Sequence, residues 1–224
     1  DKIKMRQILQ EKGVPVPQFR PVWTLDEGRE AISSMELPLV IKPCDNMGAR
    51  GVRKIERPDD LIPAFREAKE ASISGKLVVE EFMEGPELSL DALIYKDDIY
   101  ITGVADRIIE HSPYFVEVGH TLPSNLPEKQ VKETIEIFKQ AIRALGINTG
   151  AAKGDIKLTS EGPKIVEIAA RLSGGWMSAY TYPLSSGVNL YKAAIQVALG
   201  ESPNGLKPKN SLVAAERSLI PAPG

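Results

Sequence analysis

A lysine at the end of an apolar stretch is the first residue whose position favours chemistry. Residues 39–42 predict a short strand ending at Lys42, and the loop after it contains Gly48 and Gly51 before residues 52–55 predict another strand. Phosphate binding requires a fixed cation next to backbone N–H groups that no side chain covers. The loop lacks the Gly-Lys-Ser/Thr of a Walker motif and the spacing of a dinucleotide fingerprint. A glycine-containing hairpin turn is the alternative interpretation.

Acidic and apolar side chains meet at the end of the next predicted strand, residues 77–82. The segment finishes with Glu80, Glu81, Phe82 and Met83, and Glu87 follows after a turn. An adenine ring binds between apolar faces and uses backbone hydrogen bonds along its edge, and a ribose uses a carboxylate for its hydroxyls. The segment therefore fits a nucleoside, although two neighbouring glutamates taken alone indicate only a solvated strand edge.

Two acidic residues lie in the strands of a predicted hairpin. Asp155 falls in residues 151–158 and Glu167 in residues 164–169, and the turn at 159–162 can place the two carboxylates opposite each other. Facing carboxylates repel each other unless a cation lies between them, and Mg²⁺ is a cation that one or two carboxylates hold. An isolated pair of this kind is more often a chance arrangement on the protein surface without a function. Arg171, four residues after Glu167, and a Ser-Gly-Gly sequence make that alternative weaker.

These segments resemble the ATP-grasp superfamily over nearly the whole chain. The motifs are Lys2, Ile41-Lys42-Pro43 with its glycine loop, Val79 to Met83 with Gly85 and Glu87, Gly150-Ala151 before Asp155, and Glu167 with Arg171, Gly174 and Gly175. One motif alone is weak, whereas five in order at compatible spacings are specific. The chain is most similar to the carboxylate-amine ligase branch, which includes L-amino-acid ligases. It also resembles the ATP-binding domains of carbamoyl-phosphate synthase and biotin carboxylase.

The resemblance implies an α+β fold in which two α+β lobes clasp ATP between antiparallel sheets. It implies ATP and Mg²⁺ as cofactors, with Mn²⁺ as an alternative ion, and Asp155 and Glu167 as the metal ligands. Arg171 and Lys42 take the catalytic roles. The implied ATP contacts are Lys2 and Lys42 on the phosphates, Gly48, Arg50 and Gly51 in a covering loop, Glu80, Glu81, Phe82 and Met83 around adenine, and Glu87 on the ribose.

The reaction implied by the resemblance is phosphoryl transfer from ATP to a carboxylate, followed by attack of an amine on the acyl phosphate. Amino acids or peptide-like molecules are the expected substrates. Activation of bicarbonate is the alternative reaction, and a non-catalytic ATP-binding module of a split protein is the alternative role. The chain differs from the family pattern at Ala169, where many members have Asn, and at Lys153, where many of these ligases have His.

Helix and strand patterns alternate without regular βαβ spacing, which also predicts an α+β class. Residues 1–14 are expected to form a lead-in helix, residues 15–82 a smaller lobe with the glycine loop, and residues 83–224 a larger lobe with the metal site. Antiparallel pairing is expected among residues 77–82, 88–95 and 99–104. Residues 109–121 are expected to be a substrate loop. Members of the family carry a preceding N-terminal domain, which we expect to be absent from this chain.

Composition excludes several classes of partner. The 28 Lys and Arg nearly balance 30 Asp and Glu, so no diffuse charge attracts nucleic acid or anionic membrane. No apolar run approaches the roughly 20 residues that span a bilayer. The single cysteine, Cys44, cannot form an intrachain disulfide and fits the reducing cytoplasm. Besides ATP and small carboxylate and amine substrates, the expected partners are a second copy in a homodimer or a separate N-terminal lobe.

Overall fold

A computed structural model describes residues 1–221 of the chain. The α-helices are α1 (Lys2–Glu11), α2 (Leu25–Ser34), α3 (Leu61–Ala71), α4 (Glu128–Ala144), α5 (Tyr182–Ser186) and α6 (Leu190–Ala198), with a 3₁₀ turn at Pro58–Asp60 and a π-helical turn at Met177–Thr181. The strands are β1 (Phe19–Val22), β2 (Leu39–Pro43), β3 (Arg53–Ile55), β4 (Leu77–Glu81), β5 (Glu87–Tyr95), β6 (Asp98–Glu110), β7 (Val116–Leu122), β8 (Gly150–Thr159), β9 (Gly162–Ala169) and β10 (Ala214–Arg217). This composition confirms the α+β class.

The chain divides into two compact units. The first contains residues 1–11, 16–83 and 109–116, and the second contains residues 12–15, 84–108 and 117–224. The predicted end of the larger lobe, at residue 224, lies outside the described residues. Among residues 1–221, no helix has both the length and the hydropathy needed to cross a membrane.

The first unit is built on a four-stranded antiparallel sheet with the order β1-β4-β2-β3. Alternation along β2 sends Leu39 and Ile41 into a core with α2 and α3, and leaves Lys42 on the opposite face. On that opposite face, Ile3 of α1 packs in a small buried cluster with Val78. Because α1 covers the face that carries Lys42, the helix also buries polar side chains there.

The second unit is built on a six-stranded sheet with the order β10-β7-β6-β5-β8-β9. Helix α4 packs against β8 and β9. Gly154 belongs to the face that α4 covers, since a Cβ there would lie 2.6 Å from the Phe138 ring. Its neighbour Asp155 therefore belongs to the other face, because successive strand residues alternate. On that second face α6, α5 and the π-helical turn form a core with Leu93 and Ala105.

Local signals placed several elements correctly. Thr24 caps α2 through a capping box with Glu27, as the spacing predicts. Asn189 caps α6, and the predicted hairpin of β8 and β9 is present. Pro127 occupies the N-cap position of α4 instead of the first turn.

Two expectations were wrong, and two further elements were missed. The predicted antiparallel set is divided, because β4 belongs to the first sheet and β5 and β6 belong to the second. Residues 109–121 are not one loop, since β6 extends to Glu110 and β7 begins at Val116. Strand β10 and the turn at Met177–Thr181 were not predicted. In each case the deciding factor is pairing with a segment distant in sequence, which periodicity does not report.

Candidate active site

Glu80 is the centre of a buried ion-pair cluster in the first unit. Its Oε1 lies 2.7 Å from Nε of Arg6, and its Oε2 lies 3.1 Å from Nη2 of Arg6 and 2.5 Å from Nζ of Lys42. The side chains of Arg6, Glu80 and Lys42 are 0%, 3% and 9% exposed. Burial raises the pKa of Glu80, but the charges and hydrogen bonds of Arg6 and Lys42 outweigh it and lower the pKa to about 2. Arg6 and Lys42 therefore both contact the one carboxylate of Glu80.

Strand pairing explains this cluster. Val40 lies directly opposite Glu80 in the β2–β4 pair, so Lys42 is the diagonal neighbour of Glu80 on the same face. Arg6 reaches the pair from α1 and was not predicted from the sequence. The sequence signal for Arg6 was its position on the buried face of α1, three residues after Ile3 and three before Leu9.

The glycine loop begins beside Lys2. The Lys2 ammonium donates to the backbone oxygen of Asn46 over 2.8 Å. Gly48 and Gly51 both have positive φ, of 67° and 70°, and Arg50 between them is exposed. A Cβ on Gly51 would lie 2.6 Å from Cβ of Ala71. Gly51 is therefore required by packing against α3, whereas Gly48 has no such neighbour and lies at the exposed part of the loop.

The predicted adenine segment runs from the end of β4 into a turn. The backbone N–H of Glu81 donates to Gln18, and that of Phe82 donates to Pro38. The Phe82 ring lies 6.2 Å from the ring of Phe115, and the Lys54 ammonium lies 4.3 Å from the Phe82 ring centre. The segment thus offers a half-buried aromatic face, and Met83 next to it is also half-buried. The N–H of Phe82 is already used within the protein.

Asp155 and Glu167 lie directly opposite each other in the β8–β9 pair. Directly opposed residues project from the same face with Cβ atoms about 5 Å apart, so the predicted placement of the two carboxylates is confirmed. Asp155 is 4% exposed, accepts a hydrogen bond of 2.7 Å from Ser89 and forms an ion pair with Lys153. Burial raises the pKa of Asp155, but Lys153, Arg107 and Ser89 together lower it to about 2.

Arg107 lies among three carboxylates in the second unit and was not predicted. Its guanidinium pairs with Glu87, lies 2.7 Å from Glu117 and lies 3.7 Å from Asp155. Burial lowers the pKa of Arg107, but the three carboxylates outweigh it and raise the pKa above its usual value. Glu87, the predicted ribose ligand, also lies 3.4 Å from Lys157. Glu87, Glu117 and Asp155 are therefore connected through one half-buried cation.

Arg171 is exposed and begins a loop that a buried carboxylate holds. Asp91 Oδ1 accepts from the backbone N–H and the hydroxyl of Ser173, at 3.0 and 2.7 Å, and its Oδ2 accepts from Ser178. Burial raises the pKa of Asp91. Asp91 was another residue that the sequence reading missed. It fixes the chain immediately after Arg171 and so limits where that guanidinium can lie.

The donor set around Asp155 fits a magnesium ion. Mg²⁺ takes oxygen ligands and is commonly held by one or two carboxylates together with phosphate oxygens. Asp155 and Glu167 supply two such groups from rigid, paired strands. The Lys153 ammonium occupies Oδ2 of Asp155 and competes for that oxygen. Ala169, where the family pattern has Asn, adds no ligand atom.

Comparisons with known proteins agree with these motifs. A family profile described as an ATP-grasp domain matches residues 35–180. An uncharacterized protein of Sinorhizobium fredii, y4rH, is 30% identical over 98% of this chain and 46% of its own length. Alanine–anticapsin ligase of Bacillus subtilis is 24% identical over 99% of this chain and 52% of its own length.

A solved structure, the L-amino acid ligase from Bacillus licheniformis, is similar with a TM-score of 0.76 at 26% identity. The match covers 94% of this chain and 48% of that ligase. The chain spans about half the length of each of these two curated relatives, y4rH and alanine–anticapsin ligase. The family profile covers well over half of the chain, and its span includes every predicted site residue except Lys2. The chain belongs to the ATP-grasp family.

Proposed function

We propose that the protein is part of an ATP-dependent ligase that activates a carboxylate as an acyl phosphate for attack by an amine. The observation that carries the proposal is the direct opposition of Asp155 and Glu167 on paired strands. Two carboxylates fixed on one face are suited to a divalent cation that neutralises nucleotide phosphates. The relatives named as alanine–anticapsin ligase and L-amino acid ligase support ligation as the reaction.

In the first unit, Lys2 and Lys42 are the proposed phosphate contacts. Glu80 holds the Lys42 ammonium in a fixed position near the end of β2, as a phosphate contact requires. Lys2 lies at the start of the loop formed by Gly48, Arg50 and Gly51, which we propose covers the phosphates. Residues 80–83 are the proposed adenine contacts, through the aromatic face of Phe82 and their backbone.

In the second unit, Asp155 and Glu167 would hold Mg²⁺, and Glu87 is the proposed ribose contact. The ion, when bound, supplies positive charge that stabilises the transferring phosphoryl group. Arg171 would orient the reacting carboxylate, since a guanidinium binds a carboxylate through two parallel hydrogen bonds. Asp91 would keep Arg171 in place through Ser173.

The proposed reaction has two steps. A carboxylate oxygen of the substrate attacks the γ-phosphorus of ATP, the bond to the bridging oxygen breaks, and ADP leaves. The amine nitrogen then attacks the acyl carbon, phosphate leaves with the bonding electrons, and the nitrogen loses a proton. An acyl phosphate hydrolyses readily, so the covering loop would also exclude water. Amino acids are the proposed substrates, and bicarbonate is the alternative acid to be activated.

Nucleotide binding can be tested with matched pairs of variants. Lys2→Met is expected to weaken Mg-ATP binding at least tenfold in calorimetry, because a charge-assisted contact contributes about 1.5–3 kcal/mol. Lys4→Met, in the same helix but exposed, should leave the affinity unchanged. Glu167→Gln should reduce the Mg²⁺ dependence of binding, whereas Glu161→Gln in the adjoining turn should not. Equal behaviour of both members of a pair would refute the assigned site.

Turnover separates the candidate reactions. ADP release that requires an amino acid and rises further with a second one supports the carboxylate-amine ligase. ADP release with bicarbonate alone supports the alternative. Binding of Mg-ATP without either release supports the non-catalytic module. ADP release should be measured for the chain alone and again with mixtures of amino acids at saturating concentration.

Three further features stay proposals. Mn²⁺ can replace Mg²⁺ at a carboxylate pair because both ions prefer oxygen ligands. A cytoplasmic location is the second proposal, since the single cysteine of the chain, Cys44, is buried and cannot form an intrachain disulfide. A homodimer or a separate N-terminal lobe is the proposed protein partner, and sedimentation equilibrium tests the first of these.

A further inference from the structure

One histidine in the second unit presents an unsatisfied nitrogen to a carboxylate. His120 is 3% exposed, and its Nδ1 lies 2.6 Å from Oε1 of Glu216, which is directly opposite it in the β7–β10 pair. Its other ring nitrogen, Nε2, is buried and has no hydrogen-bond partner. That nitrogen lies 3.9 Å from Oε2 of Glu117. Buried polar atoms of this kind are rare and call for a cause.

The hydrogen bond to Glu216 determines the chemistry of the free nitrogen. A carboxylate accepts hydrogen bonds, so Nδ1 carries the proton and donates it to Glu216. In the neutral imidazole, Nε2 then carries a lone pair and no proton. It faces a carboxylate oxygen of Glu117, which also offers only lone pairs. A proton on Nε2 would not satisfy the contact, because 3.9 Å exceeds hydrogen-bond distance. A cation between the two atoms would satisfy both.

The distances suit a metal ion bound by nitrogen and oxygen. Zinc lies about 2.0–2.1 Å from His nitrogen and about 2.0–2.2 Å from carboxylate oxygen, so two ligand atoms of one ion lie up to about 4 Å apart. One ligand atom each from Glu117, His120 and Glu216 can be chosen so that all lie within 4.8 Å of one another. The contact of His120 with Glu216 matches the arrangement in which a carboxylate fixes the tautomer of a metal-binding histidine.

The surroundings of the three residues leave space and are otherwise hydrogen-bonded. Thr181 donates to Oε2 of Glu216 over 3.1 Å, and Arg107 donates to Oε2 of Glu117 over 2.7 Å. A Cβ on Gly175 would lie 3.2 Å from Oε1 of Glu117 and 3.3 Å from Oε1 of Glu216. Because residue 175 is glycine, no side chain at this position crowds the two carboxylate oxygens.

We propose that Glu117 and His120, with Glu216 as third ligand or as the hydrogen-bond partner of Nδ1, bind a divalent transition metal. An imidazole ligand favours Zn²⁺ or Co²⁺ over Mg²⁺, which prefers oxygen alone. This site differs in residues and in ligand chemistry from the proposed magnesium pair Asp155 and Glu167. The inference does not depend on the proposed ligase activity.

The test is metal binding in the absence of nucleotide. The chain contains only two histidines, His111 and His120, so a Zn²⁺ titration followed by the imidazole proton resonances assigns the ligand directly. We expect the His120 resonances to move and those of exposed His111 to stay. Co²⁺ should gain the visible absorption of a protein-bound, low-coordinate ion. Calorimetry should show one Zn²⁺ per chain bound by the histidine site.

Variants provide the controls. His120→Gln should lower Zn²⁺ affinity at least tenfold and abolish the Co²⁺ absorption, whereas His111→Gln should change neither. Glu117→Gln should weaken binding, and Glu167→Gln should leave the Co²⁺ absorption intact. Stationary His120 resonances during the titration would overturn the proposal, as would Co²⁺ absorption that survives His120→Gln. The resonance measurement uses the unaltered chain, so it decides the question even if a variant fails to fold.

Discussion

In the first unit one carboxylate, Glu80, lies between two cations, whereas in the second unit one guanidinium, Arg107, lies among three carboxylates. Both clusters are mostly buried, so water screens the charges within each cluster less than it would at the surface. In the first cluster, Arg6 and Lys42 both contact Glu80. In the second, Lys153 and Lys157 add cations, but Glu167 lies opposite Asp155 and adds a further carboxylate.

The two clusters differ in the sign of the group at their centre, which is a carboxylate in the first unit and a guanidinium in the second. In each cluster, removal of the central group would leave charges of one sign close together without their shared partner, which is costly in a buried environment. Under the proposed function, Lys42 of the first cluster would contact phosphate, and Asp155 and Glu167 would hold a divalent cation. Sequence motifs alone assigned the same roles through a family resemblance. The following changes test how much each cluster contributes to stability and to ligand binding.

Removing the central carboxylate of the first unit should have the largest effect. Glu80→Gln keeps the volume but removes the charge that balances Arg6 and Lys42, and breaking a buried ion pair costs about 3–5 kcal/mol. Urea denaturation followed by Trp23 fluorescence in a Trp176→Phe background measures the first unit, since the chain has two tryptophans. Asp26→Asn, which breaks an exposed pair with Arg29, is the control and should cause no measurable change. A loss below about 1 kcal/mol would contradict the interpretation.

Acid should weaken the same cluster. The pKa of Glu80 is about 2 in the folded chain and near 4.5 when the chain is unfolded. A depressed folded pKa gives stability that is complete above about pH 4.5 and is lost as the pH falls toward 2. The loss should be on the order of 3 kcal/mol for this group. Stability of the first unit should therefore fall between pH 4.5 and 2, and the Glu80→Gln variant should show a smaller slope. Parallel slopes for the two proteins would show that Glu80 is not responsible.

Arg107 should be the corresponding key residue of the second unit. Arg107→Met leaves Glu87, Glu117 and Asp155 without their shared cation and should destabilise this unit by about 2–3 kcal/mol, less than the full buried-pair value because the guanidinium is 16% exposed. Trp176 fluorescence in a Trp23→Phe background reports this unit. Lys157→Met removes one longer contact and should cost less. If both variants lose the same stability, Arg107 has no central role.

The Lys153→Met variant is expected to have the smallest effect and gives the most specific test. Its ammonium pairs with Asp155, so Lys153→Met should free an oxygen for Mg²⁺ and raise Mg²⁺ affinity about tenfold, equivalent to about 1.4 kcal/mol. Lys157→Met removes a similar charge that contacts Glu87 instead and should leave Mg²⁺ affinity nearly unchanged. Magnesium titration in the presence of a non-hydrolysable ATP analogue measures both. Weaker Mg²⁺ binding by Lys153→Met would instead indicate that the lysine helps to hold the nucleotide.

Helix caps, glycine positions and strand alternation could be predicted because they depend on residues within a few positions of each other. The capping box of Thr24 and Glu27, the β8–β9 hairpin and the opposition of Asp155 and Glu167 are of this kind. The partners of Arg6 and Arg107 could not be predicted in the same way. Arg6 and Glu80 are 74 positions apart, and their pairing depends on how α1 lies over the sheet.

The sequence by itself determined the family, the order of the motifs and the local geometry of the carboxylate pair. Tertiary structure alone decided which sheet each strand joins, that residues 116–122 form a strand, and that His120 faces Glu117 and Glu216. The physical reason is the range of the interactions. Backbone periodicity and turn chemistry act over a few residues, whereas burial and charge pairing act between segments that only the folded chain brings together.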